Sequence, residues 1–246
     1  MSRKDTLGDR MKSFYEDRTR IYLPRKTYTI IRIDGKSFHT YTRKFERPFD
    51  LKFIEMMDET AIYLCKNIMG VKFGFVQSDE ISLILTDFDR ITTEAWFDNN
   101  LQKMSSVSAS MATRAFNEQA LSYYGESDMR WAEFDSRVFQ IPQEDEVINY
   151  FIWRQQDTTR NSISSVAQSL YSSKELHGKN SNDLQEMIWQ KGINWNDYDA
   201  KLKRGRLITK GNYEKQGTNR SIWLSISPPI FTEDKESIKQ LLRTGV

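Results

Sequence analysis

A β-branched run, a long helical segment and two further apolar runs, in that order, constrain the fold of this 246-residue chain most strongly. Residues 28–33 are rich in β-branched side chains, as in a strand, and the run stops at an Asp-Gly pair. Apolar residues then recur at helical spacing over about 51–69. The runs at 71–76 and 81–85 are predicted to be strands joined by a short polar turn, as in a β-hairpin.

A second helix and a fourth strand complete this pattern. Helical spacing predicts a helix over about 101–118, and a strand is predicted over 131–139. The resulting order, β-α-β-β-α-β, is typical of an antiparallel sheet with two helices on one face. We therefore predict an α+β fold for residues 1–142, preceded at its N-terminus by a helix over 5–20.

The pattern changes beyond Pro142. Helical segments dominate at 144–171 and 183–190, and a basic stretch and a strand over 221–227 follow. No linker rich in Gly, Ser or Pro separates the two halves. We predict that residues 143–246 form a mainly helical extension packed on the first part, as one structural unit.

Composition excludes several kinds of protein. The single cysteine, Cys65, rules out an internal disulfide framework and a Cys-rich zinc site. No stretch approaches the ~18 apolar residues that a membrane span needs, and residues 1–20 do not look like a signal peptide. We therefore expect a soluble, cytoplasmic protein without a membrane partner.

Charge points to a polyanion only locally, because the net charge of the whole chain is +2. Basic residues cluster between positions 201 and 215, where Glu214 is the one acid. They are Lys201, Lys203, Arg204, Arg206, Lys210 and Lys215. Such a stretch suits a nucleic-acid partner, although a solvated loop is an equal alternative.

Two acids are predicted to meet at one edge of the sheet. The first strand of a β-α-β-β-α-β sheet lies beside the third, so Asp34 and Asp79 come together although a helix separates them in sequence. Glu80 is predicted to point the opposite way, since side chains alternate along a strand. Mg²⁺ prefers oxygen ligands of this kind. Two such ions about 3.5–4 Å apart can hold the attacking and leaving oxygens in phosphoryl transfer.

The loop after the first strand is a candidate phosphate cradle. Gly35 lets the backbone approach a metal or a phosphate closely, and its carbonyl is a candidate ligand. The backbone N–H groups of 36–39 are placed to hold a triphosphate. Asp-Gly and Ser-Asp-Glu are also ordinary turn sequences, so each motif alone has a purely structural alternative.

Four stretches together resemble the tRNA-His guanylyltransferase superfamily, and they occur in the family's order. They are Arg32-Ile-Asp-Gly-Lys-Ser-Phe-His39, Arg47-Pro-Phe-Asp50, Gln77-Ser-Asp-Glu80 and Trp153-Arg-Gln-Gln-Asp157. The segment 154–163 and the later Leu176-His-Gly178 resemble the bacterial-type Thg1-like proteins in particular. The resemblance implies a palm domain like that of polymerases and nucleotidyl cyclases. It also implies 3′-to-5′ nucleotide addition, two Mg²⁺ ions, ATP, GTP and other NTPs as substrates, tRNA as a partner and a homotetramer.

The resemblance also implies roles for the matched residues. Asp34, the carbonyl of Gly35 and Asp79 match the positions that hold the metal ions, and Glu80 matches the acid that completes the catalytic set. The implied nucleotide-binding positions are Asp34, Gly35, Lys36, Ser37, Phe38, His39, Arg47, Asp50, Ser78 and Asp79. Arg47 stands where the family commonly has Lys, which keeps the charge but changes the hydrogen-bond geometry.

One departure favours a particular role within the family. Eukaryotic members carry His-Ile-Asn-Asn-Leu-Tyr-Asn where this chain reads Thr159-Arg-Asn-Ser-Ile-Ser-Ser165, which keeps only Asn161. The missing His and Tyr favour template-directed repair of truncated tRNA 5′ ends, with ATP activation of a 5′-monophosphate, over G−1 addition to tRNA-His. We predict tRNA contacts, mostly to phosphates, at Arg154, Arg160, Asn161, Lys203, Arg204, Arg206 and Lys210.

Two other functions stay open at this point. A nucleotidyl cyclase would share the palm and the paired aspartates, and would release a cyclic nucleotide without tRNA. A non-catalytic RNA-binding module would share the β-α-β-β-α-β topology. That module needs exposed aromatic residues on its central strands, whereas residues 30–33 are aliphatic or basic and are followed by an acid.

Overall fold

The computed structural model describes residues 6–215 and 217–244, with only the backbone at position 128. The strands are β1 (Tyr28–Gly35), β2 (Val71–Gln77), β3 (Glu80–Leu85), β4 (Phe134–Ile141), β5 (Arg206–Lys215) and β6 (Thr218–Ile226). They form one six-stranded sheet in the order β4-β1-β3-β2-β5-β6. Neighbouring strands are antiparallel throughout. The α+β class and the adjacency of the first and third strands, both predicted from the sequence, are confirmed.

The helices surround this sheet. They are α1 (Leu7–Phe14), α2 (Phe38–Tyr41), α3 (Leu51–Asn67), α4 (Leu101–Asp128), α5 (Glu144–Leu170), α6 (Ser173–Leu176), α7 (Ser181–Gln190), α8 (Ala200–Arg204) and α9 (Lys235–Thr244). Short 3-10 turns occur at Glu16–Thr19, Thr42–Lys44, Trp96–Asn99 and Trp195–Asp197. Among the described helices, none is both long and apolar enough to cross a bilayer.

Both faces of the sheet are covered. The two helices predicted for residues 1–142 share one face, as expected, and helices of the extension cover the other. Helices α3 and α4 pack on the front face, against residues such as Ile31 and Ile33. Helices α5 and α9 pack on the back face, against Ile30 and Ile84. Strand β2 is buried at all seven positions. A strand buried on both faces needs a continuous apolar run, and this is the pattern that the sequence shows at 71–76.

Several boundaries differ from the predictions. The predicted helix over 5–20 is α1 followed by a 3-10 turn, and residue 5 lies outside the described residues. Helix α4 continues to Asp128 through a non-helical residue, Gly125, at φ 71°. Strand β4 begins at Phe134, three residues later than predicted. These differences lie at element ends, where local sequence signals are weakest.

The C-terminal extension contributes strands as well as helices. Strand β5, which was predicted only as a basic stretch, pairs with β2 through residues 74–76 and 206–208. Beyond this short contact, β5 and β6 continue as a two-stranded hairpin. A third apolar cluster joins α5 to α7 and includes Ile163, Val166 and Ile188. Helix α5 therefore joins the back of the sheet to the rest of the extension.

Candidate active site

The ends of β1 and of the β2–β3 hairpin meet at one edge of the sheet. Asp34 lies opposite Glu80 in the β1–β3 register. The backbone N–H of Gly35 donates to the carbonyl oxygen of Asp79 at 3.1 Å. This bond ties the end of β1 to the turn over residues 77–80, which is called the 77–80 turn below. The structure thus brings Asp34 and Asp79 together at the edge expected from the topology.

The two aspartates form a pair with little compensating charge. Burial raises the pKa of Asp79 to about 6, and the charge of Asp34 adds to this effect, although hydrogen bonds from the backbone and Ser78 oppose it. The nearest cation to Asp34 is Arg137, whose Nη2 lies 3.8 Å from Oδ2. At this distance Arg137 compensates little of the negative charge of the pair. A hard divalent cation prefers such carboxylate ligands.

Asp34 and Asp79 supply only two side chains to a metal site. The described residues contain no group of three or more His, Cys, Asp or Glu side chains that could hold a metal ion. A magnesium ion here would therefore depend on Asp34, Asp79 and backbone carbonyl oxygen, with water or phosphate oxygens completing its shell. This suits Mg²⁺, which usually keeps several waters and binds through one or two carboxylates plus substrate phosphates.

An aromatic anchor fixes the loop that follows β1. A Cβ atom on Gly35 would lie 2.3 Å from the ring of Phe38, so only glycine fits there. Ser37 has φ 56° and ψ 35°, which turns the chain into α2. The ring of Phe38 is buried against the rings of Phe53, Phe116 and Phe134. The predicted phosphate loop is therefore held by core packing.

A cavity of about 440 Å³ opens beside Asp79, and Asp34 is not among the residues that line it. It lies between the loop after β1, the start of α3, the 77–80 turn and one face of α5. Predicted nucleotide-binding residues that line it are Phe38, His39, Arg47, Asp50, Ser78 and Asp79. The cavity lies next to a candidate metal site and carries several polar side chains on its walls. A nucleoside triphosphate needs both, a pocket for its nucleoside and a cation for its phosphates.

Two of the predicted nucleotide-binding residues are engaged elsewhere. Lys36 pairs with Glu133, both through its side chain and through its backbone N–H. Asp50 caps α3, and its two carboxylate oxygens accept the backbone N–H groups of Phe53 at 2.9 Å and Glu46 at 3.0 Å. A capping carboxylate satisfies otherwise unpaired amides at a helix start. Asp50 thus shapes the wall of the cavity through the backbone.

Glu80 faces the back of the sheet, as predicted, but this excludes a direct contact with the reacting groups. It is 5% exposed. Its carboxylate accepts the Nε and Nη2 hydrogens of Arg154, each at 2.8 Å. Arg32 adds an ion pair at 3.0 Å without hydrogen-bond geometry. The catalytic role predicted for Glu80 must therefore be corrected to one that acts through its neighbours.

Three predicted tRNA contacts also need correction because the side chains are buried. Arg154 is 4% exposed and is occupied by Glu80 and Asp157. Lys203 is buried and donates to the carbonyl oxygen of Asn196. Arg206 is buried, pairs with Asp58 at 2.7 Å and lines the cavity. None of these three presents a charged surface to an approaching RNA.

The remaining tRNA candidates keep exposed surface. Arg160 is exposed on α5, and its Nη2 lies 2.9 Å from Asp157. Asn161 is exposed and lines the cavity. Arg204 and Lys210 are half-buried, and Lys210 lies over the ring of Trp223. RNA contact by these four residues stays a prediction.

The sequence interpretation missed the polar face of α5. Thr158, Ser162, Ser165 and Gln168 line the cavity together with Asn161. Their positions differ by three or four, so they share one side of the helix. That spacing of small polar residues, between the buried apolar positions of the second half of α5, is the signal that would have identified them.

Comparisons with known proteins agree with this geometry. A protein-family model described as tRNAHis guanylyltransferase (Thg1) matches residues 8–142. A probable tRNA(His) guanylyltransferase of Dictyostelium discoideum is 28% identical over 219 residues, which cover 83% of each chain. A bacterial Thg1-like protein solved with ATP is 48% identical, with a TM-score of 0.89 over 96% of this chain and 99% of that one. Its solved complex with GTP is 47% identical, with a TM-score of 0.84 over 97% and 99%.

Proposed function

Because this chain belongs to the tRNAHis guanylyltransferase (Thg1) family of nucleotidyltransferases, we propose that it adds nucleotides to tRNA 5′ ends in the 3′-to-5′ direction. The nucleotide is chosen by pairing with the opposite strand, so the reaction repairs truncated 5′ ends. ATP activates a 5′-monophosphate end first. ATP, GTP and the other NTPs are the nucleotide substrates, and a homotetramer, testable by light scattering, is part of the proposal.

One observation carries this proposal: Asp79, which meets Asp34 at the edge of the sheet with little compensating charge, lines the cavity of about 440 Å³. Solved complexes of the bacterial Thg1-like protein contain ATP and GTP, which supports nucleotide binding by this chain as well. The exposed polar and basic residues on α5 lie beside the same cavity. A nucleotide and an RNA end can therefore reach the aspartates from neighbouring surfaces.

Magnesium fits the residues present. Asp34, Asp79 and the carbonyl of Gly35 would hold it, and when bound it would supply charge neutralisation and a lowered pKa for a hydroxyl. The oxygen-only ligand set and the unmet negative charge of the pair support this choice. Without a cation, the aspartates would repel the triphosphate that the cavity is shaped to take.

The chain's own residues position the reactants. The 3′ oxygen of the incoming nucleotide forms a bond to the 5′ phosphorus of the RNA, and the bond from that phosphorus to AMP or pyrophosphate breaks. The backbone N–H of Lys36 is bonded to Glu133, so the N–H groups of residues 37–39 would hold the phosphates. His39 and Arg47 lie on the wall of the cavity. Asn161 and Ser165 offer hydrogen bonds from the opposite wall. Such catalysis depends on orientation and electrostatics and needs no covalent nucleophile.

Addition of G−1 to tRNA-His is a second candidate, and the names of the family model and of the D. discoideum relative favour it. The residues at 159–165 argue against it, because they lack the His and Tyr of the eukaryotic segment. The two activities differ in their template. Repair follows the base on the opposite strand, whereas G−1 addition selects tRNA-His.

The deciding experiment supplies a tRNA that lacks its first 5′ nucleotide, with Mg²⁺ and all four NTPs. We expect extension by the nucleotide complementary to the opposing base, and a change of that base should change the nucleotide added. Addition of G alone, and only to tRNA-His, would replace repair by the second candidate. Cyclic nucleotide formed from NTP without tRNA would indicate a cyclase, and binding of tRNA without extension would refute the proposal.

A further inference from the structure

We propose that α5 clamps the 77–80 turn, and that Arg154 and Thr158 are positioning residues for Asp79. The turn carries an aspartate of the proposed metal site, so this inference rests on the proposed function. Two side chains from one helix hold the residues on either side of Ser78 and Asp79. Arg154 acts from the back of the sheet and Thr158 from the wall of the cavity, and both bind the flanks of the turn and not Asp79 itself.

The first contact fixes the C-terminal end of the turn. Arg154 binds the carboxylate of Glu80 with two parallel hydrogen bonds of 2.8 Å. Both side chains are almost completely buried. A bidentate arginine–carboxylate pair is among the strongest and most directional contacts in proteins. Because Glu80 follows Asp79 directly, this pair restrains the backbone on one side of Asp79.

The second contact fixes the N-terminal end. The hydroxyl of Thr158 lies 2.5 Å from the side-chain amide of Gln77, and both residues are buried. The same hydroxyl lies 2.8 Å from the backbone oxygen of Arg154. As assigned, the hydroxyl faces two acceptors, Oε1 of Gln77 and the carbonyl oxygen of Arg154, and its single proton serves one of them at a time. With the Gln77 amide turned by 180°, the amide nitrogen donates to the hydroxyl and the hydroxyl donates to Arg154. Gln77 precedes Ser78, so this bond restrains the other side of the turn.

The spacing of the two contacts matches the geometry of a helix. Residues 154 and 158 are four apart and therefore lie on one side of α5. Residues 77 and 80 flank the two residues of the turn. Ser78 itself is exposed and has φ 44°, a conformation that a serine rarely adopts. The flanks, held by α5, keep the tip of the turn in this conformation.

The charges at the turn explain why a clamp is useful. Asp34 and Asp79 carry like charges at the same edge of the sheet, where the backbone N–H of Gly35 donates to the carbonyl oxygen of Asp79, so their carboxylates repel each other. An unrestrained turn would relieve this repulsion by moving Asp79 away before a cation arrives. The clamp holds Asp79 close to Asp34 before a metal binds. Electrostatic catalysis requires preorganisation of this kind. Helix α5 also lines the cavity with Asn161 and Ser165, so one rigid element places both the nucleotide and the metal ligand.

The test compares three threonine variants. Thr158→Val removes the hydroxyl but keeps the shape, Thr158→Ser keeps the hydroxyl, and Thr159→Val is the matched control. The hydroxyl of Thr159 donates at 3.0 Å to Gln155 within the helix and does not reach the turn. Hydrogen exchange of a peptide containing residues 77–80, and Mn²⁺ affinity measured by electron paramagnetic resonance, report on the turn without any RNA substrate.

We expect Thr158→Val to speed exchange in the turn, to weaken Mn²⁺ binding and to lower kcat, each by about 3- to 10-fold, the size of one lost hydrogen bond. The KM for the nucleotide should change little, Thr158→Ser should restore most of the loss, and Thr159→Val should match the wild type. Arg154→Lys keeps the charge but loses the bidentate geometry, so its defect should be roughly tenfold or larger.

Two results would overturn the clamp. One is wild-type exchange and Mn²⁺ affinity in Thr158→Val. The other is a raised nucleotide KM with kcat and exchange unchanged, which would make Thr158 a simple ligand contact. Failure of the proposed function can be told apart from failure of the clamp. A wild-type protein that does not extend tRNA would refute the proposed function, whereas the exchange difference between Thr158→Val and the wild type is measured without RNA and tests the clamp alone.

Discussion

The two sides of the 77–80 turn have opposite electrostatic character. At the open edge, Asp79 and Asp34 face each other, and the nearest guanidinium is 3.8 Å from Asp34. On the back of the sheet, Glu80 is buried and is neutralised by Arg154 and Arg32. Adjacent acids in the sequence thus occupy an undercompensated site and a fully compensated one.

The difference assigns separate roles to the two acids: Asp79 is available to bind a cation, and Glu80 holds the backbone in place. A carboxylate left without partners costs stability, and proteins retain such a group where a ligand is to bind. A buried carboxylate with two cations cannot take a metal, but it can hold the backbone. The comparison therefore predicts that Asp79 matters for activity and little for stability, whereas Glu80 matters for both. Four changes test this contrast.

The largest effect is expected from removal of a charge at the open edge. Asp79→Asn should lower nucleotide addition by about 1,000-fold or more, because the cation loses a ligand and the phosphates lose their neutralisation. The melting temperature should stay the same or rise, since burial and Asp34 disfavour the charged form of Asp79. Single-turnover extension of a truncated tRNA and calorimetry measure the two effects.

Asp135→Asn is the matched control for that change. Asp135 lies opposite Asp34 in the β1–β4 register, but it is exposed and pairs with Arg137 at 3.5 Å. We expect nearly normal activity from this variant. Full activity of Asp79→Asn, or an equal loss of activity in Asp135→Asn, would contradict the assignment of Asp34 and Asp79 as the metal-binding pair.

The next effect concerns the back of the sheet. Glu80→Gln removes the acid that the buried Arg154 shares with the partly buried Arg32, and it leaves Arg154 with only the more exposed Asp157 as a counter-ion, which should destabilise the fold by about 3 kcal/mol. Urea unfolding measures this loss. The double variant Glu80→Gln with Arg154→Met should recover part of it, because the unpaired buried charge is removed as well. Equal stability of Glu80→Gln and the wild type would contradict the compensated state of Glu80.

A smaller effect is expected from pH. The pKa of Asp79 is raised from 3.8 to about 6, so the folded chain binds its proton more tightly than the unfolded chain does. Stability from this group is present at low pH and is lost as pH rises through 6. Metal binding has the opposite sign, because it needs the carboxylate. Mn²⁺ affinity should therefore be about fourfold weaker at pH 5.5 than at pH 7.5.

Two variants check the origin of that pH effect. Asp34→Asn removes the neighbouring charge and should weaken the dependence on pH along with the affinity. His39→Gln is the control, because imidazoles as a class titrate in the same range and His39 lines the cavity. A pH profile that disappears in His39→Gln would assign the effect to the histidine.

The smallest effect is expected on the exposed RNA-facing side of α5. Arg160→Gln should weaken tRNA binding about threefold and lower the slope of log affinity against log salt by about one. Arg243→Gln is the control, since Arg243 is also exposed and pairs with an acid, Glu144, but lies on α9. Filter binding at several salt concentrations would measure both. Equal losses of tRNA affinity in the two variants would indicate that Arg160 contributes to tRNA binding only through the total charge of the protein.

Local patterns were sufficient to predict β1, β2 and β3 and the meeting of Asp34 with the 77–80 turn. The β-branched run at 28–33 and the apolar runs at 71–76 and 81–85 determine these strands, and topology then places Asp34 beside the turn. Sequence similarity added individual nucleotide-binding residues, whose roles stay proposals. The polar face of α5 also had a readable signal in its spacing of three and four.

The remaining features depend on contacts between distant residues. The basic stretch at 201–215 contains β5 because β2 offers it a partner, and that pairing has no local signature. The burial of Arg154 follows from Glu80, which is 74 residues away in the sequence. A surface charge and a buried structural charge look the same along the chain. For this reason the tRNA-binding prediction included side chains that the fold encloses.

The most direct test of the account is a crystal grown with Mn²⁺ and a non-hydrolysable NTP analogue, measured at a wavelength where manganese scatters anomalously. We predict strong anomalous density bounded by the carboxylates of Asp34 and Asp79, with the analogue's phosphates on its other side and its sugar in the cavity. Density for the analogue with no manganese between these two side chains would contradict the account.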